Sequence, residues 1–72
     1  MEQSGATERW DDIIAWFEQR GFGVRINRER DDLVWADLTR LPSGRIVAPK
    51  YGRGETPLSA AQSAKQRYAV EQ

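Results

Sequence analysis

Residues 50–56, KYGRGET, combine the residue types most suited to binding an anion. Lys50 and Arg53 carry positive charge, and the two glycines beside Arg53 let a ligand approach the backbone closely. The following threonine and Pro57 predict a helix start, where free N–H groups and the helix dipole favour negative charge. We expect Lys50, Tyr51 and Arg53 to contact a phosphate of RNA or DNA. The alternative is that the segment only connects a strand to a well-capped helix.

Two tryptophans are candidates for contact with a partner. Trp35 is predicted to lie with Asp37 on the solvent-exposed face of a strand, where an indole stacks on a nucleobase or anchors a protein. Arg25 and Arg45 on neighbouring strands would make this face basic and aromatic. Alternatively, arginine side chains partly bury Trp35. Trp16 flanks the apolar stripe of the first helix, so it is either a rim residue or half exposed.

The composition excludes several chemistries. The chain has no histidine and no cysteine, so the usual ligands of zinc, haem and iron–sulfur clusters are absent, as are Ser/His/Asp and Cys/His nucleophile arrangements. Asp11-Asp12 and Asp31-Asp32 are adjacent in sequence and would point apart, which indicates solvated charges and not a catalytic pair. We therefore predict a protein that is not an enzyme and that holds no cofactor or metal.

Charge is balanced over the chain but not along it. With 11 basic and 11 acidic residues the formal net charge is +0, so a strongly basic nucleic-acid-binding protein is not indicated. Residues 1–19 are mainly acidic, whereas residues 20–53 contain more bases than acids. This layout favours an anionic first helix and a cationic middle segment, although an ordinary charged surface would give a similar one.

The length of 72 residues allows one small domain, and 31% charged residues suit a thin core with a wet exterior. No apolar run approaches the about 20 residues that a membrane span needs. The polar N-terminus is not typical of a secretory signal. We expect a cytoplasmic protein without membrane contact, consisting of a flexible lead at residues 1–6 and a single domain at residues 7–72.

The first element is predicted to be an amphipathic helix. Thr7 can cap its start, and Gly21 is the natural stop because glycine adopts the left-handed conformation beyond a last helical turn. Between them, apolar residues recur at i, i+3, i+4 and i+7, which places them on one helical face. These residues are Trp10, Ile13, Ile14 and Phe17.

Two strands follow. Alternation of apolar and polar residues predicts a strand at residues 22–27, and the charged residues 28–32 suit a hairpin loop. Residues 33–41 form the second predicted strand. Its core-facing residues would be Val34, Ala36 and Leu38.

A turn at residues 41–44, LPSG, leads into a third strand at residues 45–51. Because Pro49 cannot donate to a strand ladder, this strand should be an edge or should break there. A loop at residues 52–55 then precedes an alanine-rich helix from Pro57 to about Val70. The predicted fold is α+β in the order α-β-β-β-α, with a three-stranded antiparallel meander covered on one face by both helices.

This layout resembles the double-stranded-RNA-binding domain. The detail that carries the resemblance is Gly52-Arg53-Gly54 leading into a helix that contains Ala61, Ala64 and Lys65. In that family a glycine-containing loop precedes a helix whose N-terminal part grips phosphates. The resemblance implies phosphate contacts from the start of the last helix, which here offers Ser59 and Lys65.

The C-terminal half is also similar to HicB-type antitoxins. There a strand is followed by a glycine-rich turn, a threonine-proline cap and an alanine-rich helix, as in residues 51–68 here. This resemblance implies a protein that works by covering a partner.

We therefore expect a small non-catalytic binding module. The leading hypothesis is weak or regulatory nucleic-acid binding, to RNA or DNA, through the basic Lys50/Arg53 corner between the last strand and the last helix, together with the basic sheet face. The alternative is a protein-interaction or antitoxin-like regulatory module, including a homodimer, that uses Trp16 and Trp35. The two hypotheses differ in their expected response to salt, because phosphate contacts weaken as salt rises.

Overall fold

The computed structural model describes residues 8–72 and contains one antiparallel sheet with two helices. In chain order the elements are α1 (Trp10–Glu18), β1 (Phe22–Arg30), β2 (Leu33–Arg40), β3 (Arg45–Gly54) and α2 (Pro57–Glu71). The strand order is β1-β2-β3, with β2 in the centre and both neighbours antiparallel to it. The predicted α-β-β-β-α meander is confirmed. The predicted lead and the Thr7 cap lie outside the described residues.

A single apolar cluster joins α1, β2 and α2. Its members are all at most 3% exposed, so both helices cover the same face of the sheet, as predicted. Tyr68 of α2 closes the cluster by meeting Trp16, Phe17 and Phe22 edge-on. The buried residues are Ile13, Phe17, Val34, Ala36, Leu38, Ala60, Ala61 and Ala64.

The ends of α1 are set by local polar contacts. Arg9 is the N-cap residue, and the Asp12 carboxylate accepts a hydrogen bond of 3.3 Å from its backbone N–H. Asp11 and Asp12 occupy the first turn, where negative charge is favoured by the helix dipole. Gly21 has φ +85, which confirms the left-handed stop predicted after this helix. Neither helix of residues 8–72 has the length and apolar character needed to cross a bilayer.

Two predicted loops belong to strands. β1 continues to Arg30, so the predicted loop at residues 28–32 is wrong, and the connection is the two-residue turn Asp31-Asp32. The side chains of this strand end are exposed, and backbone pairing there needs no apolar side chain. β3 continues to Gly54, so the predicted loop at residues 52–55 is also wrong.

Gly52 and Gly54 are strand residues on which α2 lies. A Cβ atom added to Gly52 would come within 2.5 Å of the Ala64 nitrogen and 2.7 Å of the Ala64 Cβ. One added to Gly54 would come within 2.6 Å of the Ala60 nitrogen. These separations are shorter than real Cβ contacts, so the glycines allow close packing of helix on strand. Their role in this fold is contact with α2.

We expect Gly52→Ala to lower the free energy of unfolding by about 3 kcal/mol, because overpacking of this kind forces helix and strand apart. The matched control is Gly44→Ala. Gly44 has φ +78, but a Cβ atom added there would meet nothing within 4 Å, so only backbone strain of about 1 kcal/mol should result. Urea unfolding followed by circular dichroism measures both. Equal losses in the two variants would contradict the close-packing explanation.

Candidate functional site

Within residues 8–72, Trp35 lies on the central strand and on the sheet face opposite the two helices. In the strand register it pairs with Asn27 of β1 and Arg53 of β3. Directly opposed residues of antiparallel strands project to the same face. Val34 and Ala36, which flank Trp35 in sequence, lie in the core, so Trp35 and Arg53 point away from the helices. We call this surface, made of Arg25, Asn27, Trp35, Lys50 and Arg53, the Trp35 patch.

Glu29 and Lys50 hold the indole of Trp35. Its Nε1–H donates a 2.8 Å hydrogen bond to Oε1 of Glu29. The Nζ atom of Lys50 lies 5.2 Å from the ring centroid and 3.9 Å from the same carboxylate oxygen. The side chains of Lys50 and Glu29 are 65% and 46% exposed, so this ion pair is open to water and easily exchanged. One face of a half-buried tryptophan therefore carries a displaceable cation.

Asp37 is buried on this same face, so the prediction that it is solvent-exposed is wrong. The residue is only 4% exposed. Its Oδ1 accepts the backbone N–H of Lys50 at 2.8 Å, and its Oδ2 accepts the amide N–H of Asn27. The carboxylate is thus enclosed by the neighbouring strands and not by a helix. Arg25 pairs with Asp37 in the register and adds a further positive charge to the patch.

β3 bulges at the point where Asp37 meets it. The register shifts between Ala36 and Leu38, and Lys50 adopts φ +51, a conformation rarely seen outside glycine. The presence of Pro49 predicted that this strand is an edge or breaks there. The edge position is confirmed, whereas β3 does not break and continues through the bulge to Gly54. Sequence alone did not connect Asp37 to the bulge, because an aspartate in an alternating strand ordinarily faces water. Pro49 was the only local signal.

The start of α2 pairs several of its backbone N–H groups within the chain. The N–H of Ser59 donates to Oγ1 of Thr56 at 3.1 Å, the N–H of Ala60 donates to the Thr56 carbonyl, and Pro57 has no N–H. Ser59 Oγ in turn accepts from the Thr56 N–H at 3.0 Å. Thr56 and Ser59 therefore form a reciprocal capping box within the chain. Ser59, predicted to bind a phosphate, is placed as a capping residue.

Lys65 and Trp16 lie on the helix-covered side, away from the Trp35 patch. Lys65 forms an ion pair with Glu8, and its Nζ lies 5.2 Å from the centroid of Trp16. The guanidinium carbon of Arg20 lies 3.7 Å from the same centroid. Trp16 is partly buried and packs against the core cluster, which agrees with the predicted position at the rim of the apolar stripe. The two tryptophans do not form one surface.

Arg45 and Tyr51 are also separated from the patch. Arg45 pairs with Arg40 at the opposite end of β3. The Tyr51 hydroxyl donates a 2.5 Å hydrogen bond to Oε1 of Glu71, and the guanidinium carbon of Arg67 lies 4.4 Å from its ring centroid. Tyr51 thereby ties β3 to the C-terminal half of α2. Of the predicted nucleic-acid contacts, the structure brings together Lys50, Arg53 and Arg25.

A cleft of about 360 Å³ adjoins the patch at the end of the sheet. It shares Arg53 with the patch and is lined by charges of both signs. Its lining residues are Arg30, Asp32, Leu33, Arg53, Gly54 and Glu55. Within residues 8–72 there is no group of three acidic residues placed to hold a metal ion. The site can offer cations, hydrogen-bond donors and one aromatic ring to a ligand.

Comparison of the chain with family models, with curated proteins and with solved structures gives no match.

Tyr51 provides a test of the β3–α2 contact. Burial, together with the hydrogen bond to Glu71 and its charge, raises the pKa of Tyr51 to about 12. Because the folded pKa lies above the unfolded value near 10, folding retains the proton, and stability is expected to fall as pH rises between about 10 and 12. Phenolate absorbance in a Tyr68→Phe background measures this titration. Glu71→Gln should lower the Tyr51 pKa, and an unchanged titration would contradict the assignment.

Proposed function

We propose that the Trp35 patch binds single-stranded nucleic acid weakly, with a base stacked on Trp35 and phosphates on Arg53, Lys50 and Arg25. The observation that supports this proposal is the position of Trp35, on a sheet face that neither helix of residues 8–72 covers, beside an exposed arginine and an exposed lysine. Stacking on an aromatic ring with basic residues along the backbone path is the usual way in which proteins hold single strands.

A single strand fits this surface better than a duplex. A duplex keeps its bases stacked inside, whereas a single strand can lay an unstacked base on an exposed indole. The features that a duplex-binding helix start would need are engaged elsewhere, since Ser59 caps α2 and Lys65 pairs with Glu8. The hypothesis from sequence named the Lys50/Arg53 corner together with the basic sheet face. The proposal keeps both cations and assigns the ligand to the sheet face, without the start of α2.

Weak binding follows from the charges of the chain. The formal net charge is +0, so there is no long-range attraction for a polyanion. Glu29 already forms an ion pair with the Lys50 ammonium and accepts a hydrogen bond from the Trp35 N–H. An incoming phosphate must compete with this carboxylate. The remaining attraction comes from a few exposed cations, each of which neutralises one phosphate at most.

We expect Arg53→Glu to weaken binding of a fluorescent single-stranded oligonucleotide by about fivefold, because an attractive contact becomes a repulsive one. Arg45→Glu is the matched control: it makes the same charge change on the same strand, but opposite Arg40 and away from Trp35. It should change affinity by less than about twofold. Fluorescence anisotropy at several salt concentrations gives the affinities, and the log–log slope should be about 0.7 per phosphate neutralised. Equal effects of the two variants, or no binding at low salt, would refute the proposal.

Glu29→Gln should tighten binding by about threefold. The amide oxygen can still accept the Trp35 N–H, while the charge that competes with a phosphate for Lys50 is gone. Glu18→Gln is the control, because Glu18 is an exposed acid on α1, away from the patch. The same anisotropy assay measures both variants. If Glu18→Gln tightens binding as much, the effect comes from net charge alone and not from local competition at Trp35.

A protein partner is the second candidate function, supported by apolar exposure near the β2–β3 turn. Leu41, Ile46 and Val47 are 38%, 39% and 43% exposed. Ile46 pairs with Thr39, and the Leu41 side chain lies beside Gly23, so both are on the open face. A contact made there, including self-association, would be lost in Ile46→Lys, retained in Arg53→Glu and insensitive to salt. Sedimentation of the chain at low and high salt separates this function from nucleic-acid binding.

A further inference from the structure

We infer that Asp37 is a positioning residue: it builds the bulge in β3 that places the Lys50 ammonium over Trp35. This inference deepens the proposed function, on which its binding measurement rests, by naming the residue that shapes the site. Asp37 itself contacts no ligand. Its buried carboxylate acts through the backbone of the neighbouring strand.

The register shows what the bulge achieves. Between Ala36 and Leu38, β2 has one residue, Asp37, whereas β3 has three residues between their partners Gly52 and Ala48. If the pairing of Ala36 with Gly52 continued without a shift, the partner of Leu38 would be Lys50. Leu38 is 3% exposed and faces the core, so that pairing would direct a lysine toward the apolar cluster.

The bulge resolves this conflict. Ala48 takes the place opposite Leu38 and packs against the core, while Lys50 reaches the open face and lies 5.2 Å from the Trp35 centroid. The extra residues leave backbone groups without ladder partners, and Pro49 has no N–H to offer. Of these backbone groups, the Lys50 N–H donates a hydrogen bond of 2.8 Å to the Asp37 carboxylate.

Asp37 is itself held in place. Asn27 donates to its second oxygen, and at 4% exposure the carboxylate has little access to water. Lys50 has φ +51, a backbone conformation that residues other than glycine rarely adopt and that surrounding contacts must stabilise. A buried acceptor aimed at the N–H of this residue is the enforcing contact. The position of the Lys50 ammonium in the Trp35 patch therefore depends on the Asp37 carboxylate.

Asp37→Ala and Asp37→Asn separate positioning from charge. Both remove the same negative charge from the patch, and electrostatics alone would tighten binding of a single-stranded oligonucleotide in both. Positioning gives a different result. In Asp37→Asn the new amide oxygen can accept the Lys50 N–H, and its NH₂ group can donate to Asn27 after rotation of that amide, so binding should match or exceed that of the unchanged chain. Asp37→Ala loses the acceptor, and binding should weaken by about fivefold.

A spectroscopic measurement tests the inference without any ligand. In the unchanged chain, the left-handed conformation of Lys50 should give a strong N–H to Hα NOE within that residue, and the indole ring current should shift its side-chain protons upfield. Both signatures should persist in Asp37→Asn and vanish in Asp37→Ala. Resonances of Tyr68, on the other face of the sheet, should stay in place in both variants and show that the core is intact.

The binding and NMR results together test whether Asp37 positions Lys50. Tighter binding in both variants, or persistence of the Lys50 signatures in Asp37→Ala, would overturn the positioning role. If the unchanged chain fails to bind the oligonucleotide, the proposed function fails while the NMR comparison still judges Asp37. If Asp37→Ala does not fold, Asn27→Ala replaces it, since it removes one bond that holds the carboxylate. It should weaken the Lys50 signatures, and unchanged signatures would refute the inference.

Discussion

The close contact between α2 and β3 is the constraint on which the rest of the structure depends. Gly52 and Gly54 present bare backbone, and α2 presents Ala60 and Ala64, so helix and strand approach more closely than larger side chains allow. In a chain of 72 residues, where little apolar surface is available, close packing compensates for small side chains by adding many short-range contacts. Tyr51 extends the same contact through its hydrogen bond to Glu71.

That contact also decides where a ligand has room. Because both helices lie on one face of the sheet, the glycines contact α2, and Thr56 and Ser59 cap that helix. Within residues 8–72, the sheet face left open is therefore the opposite one. On that face the shape of the surface depends on a buried residue, because the Asp37 carboxylate accepts a hydrogen bond from the N–H of Lys50 in the bulge. Lys50 and Glu29 then meet at the indole of Trp35. A small sheet can thus carry a shaped polar surface without a covering loop.

Elements whose side chains repeat with a clear period were predictable. The stop of α1 at Gly21, the core-facing residues of β2 and the Thr56 cap of α2 are confirmed. The apolar stripe of α1 is confirmed for Trp10, Ile13 and Phe17, whereas Ile14 does not join the core cluster. The strand ends at Arg30 and Gly54 were not, because charged residues and glycines resemble loops unless the pairing strand is known. Of the predicted phosphate contacts, Lys65 turned toward Glu8 because α1 lies beside α2, which local sequence does not encode.

The amino-acid sequence by itself determined the class of this protein: an α-β-β-β-α chain with no histidine or cysteine, with cations in its middle segment and glycines before its last helix. Periodicity and composition suffice for these properties because each depends on neighbours within a few residues. Tertiary structure alone decided that the glycines face a helix, that Asp37 is buried and that Lys50 lies over Trp35. These facts depend on strand register, and a shift of a single residue would have sent each side chain to the other face.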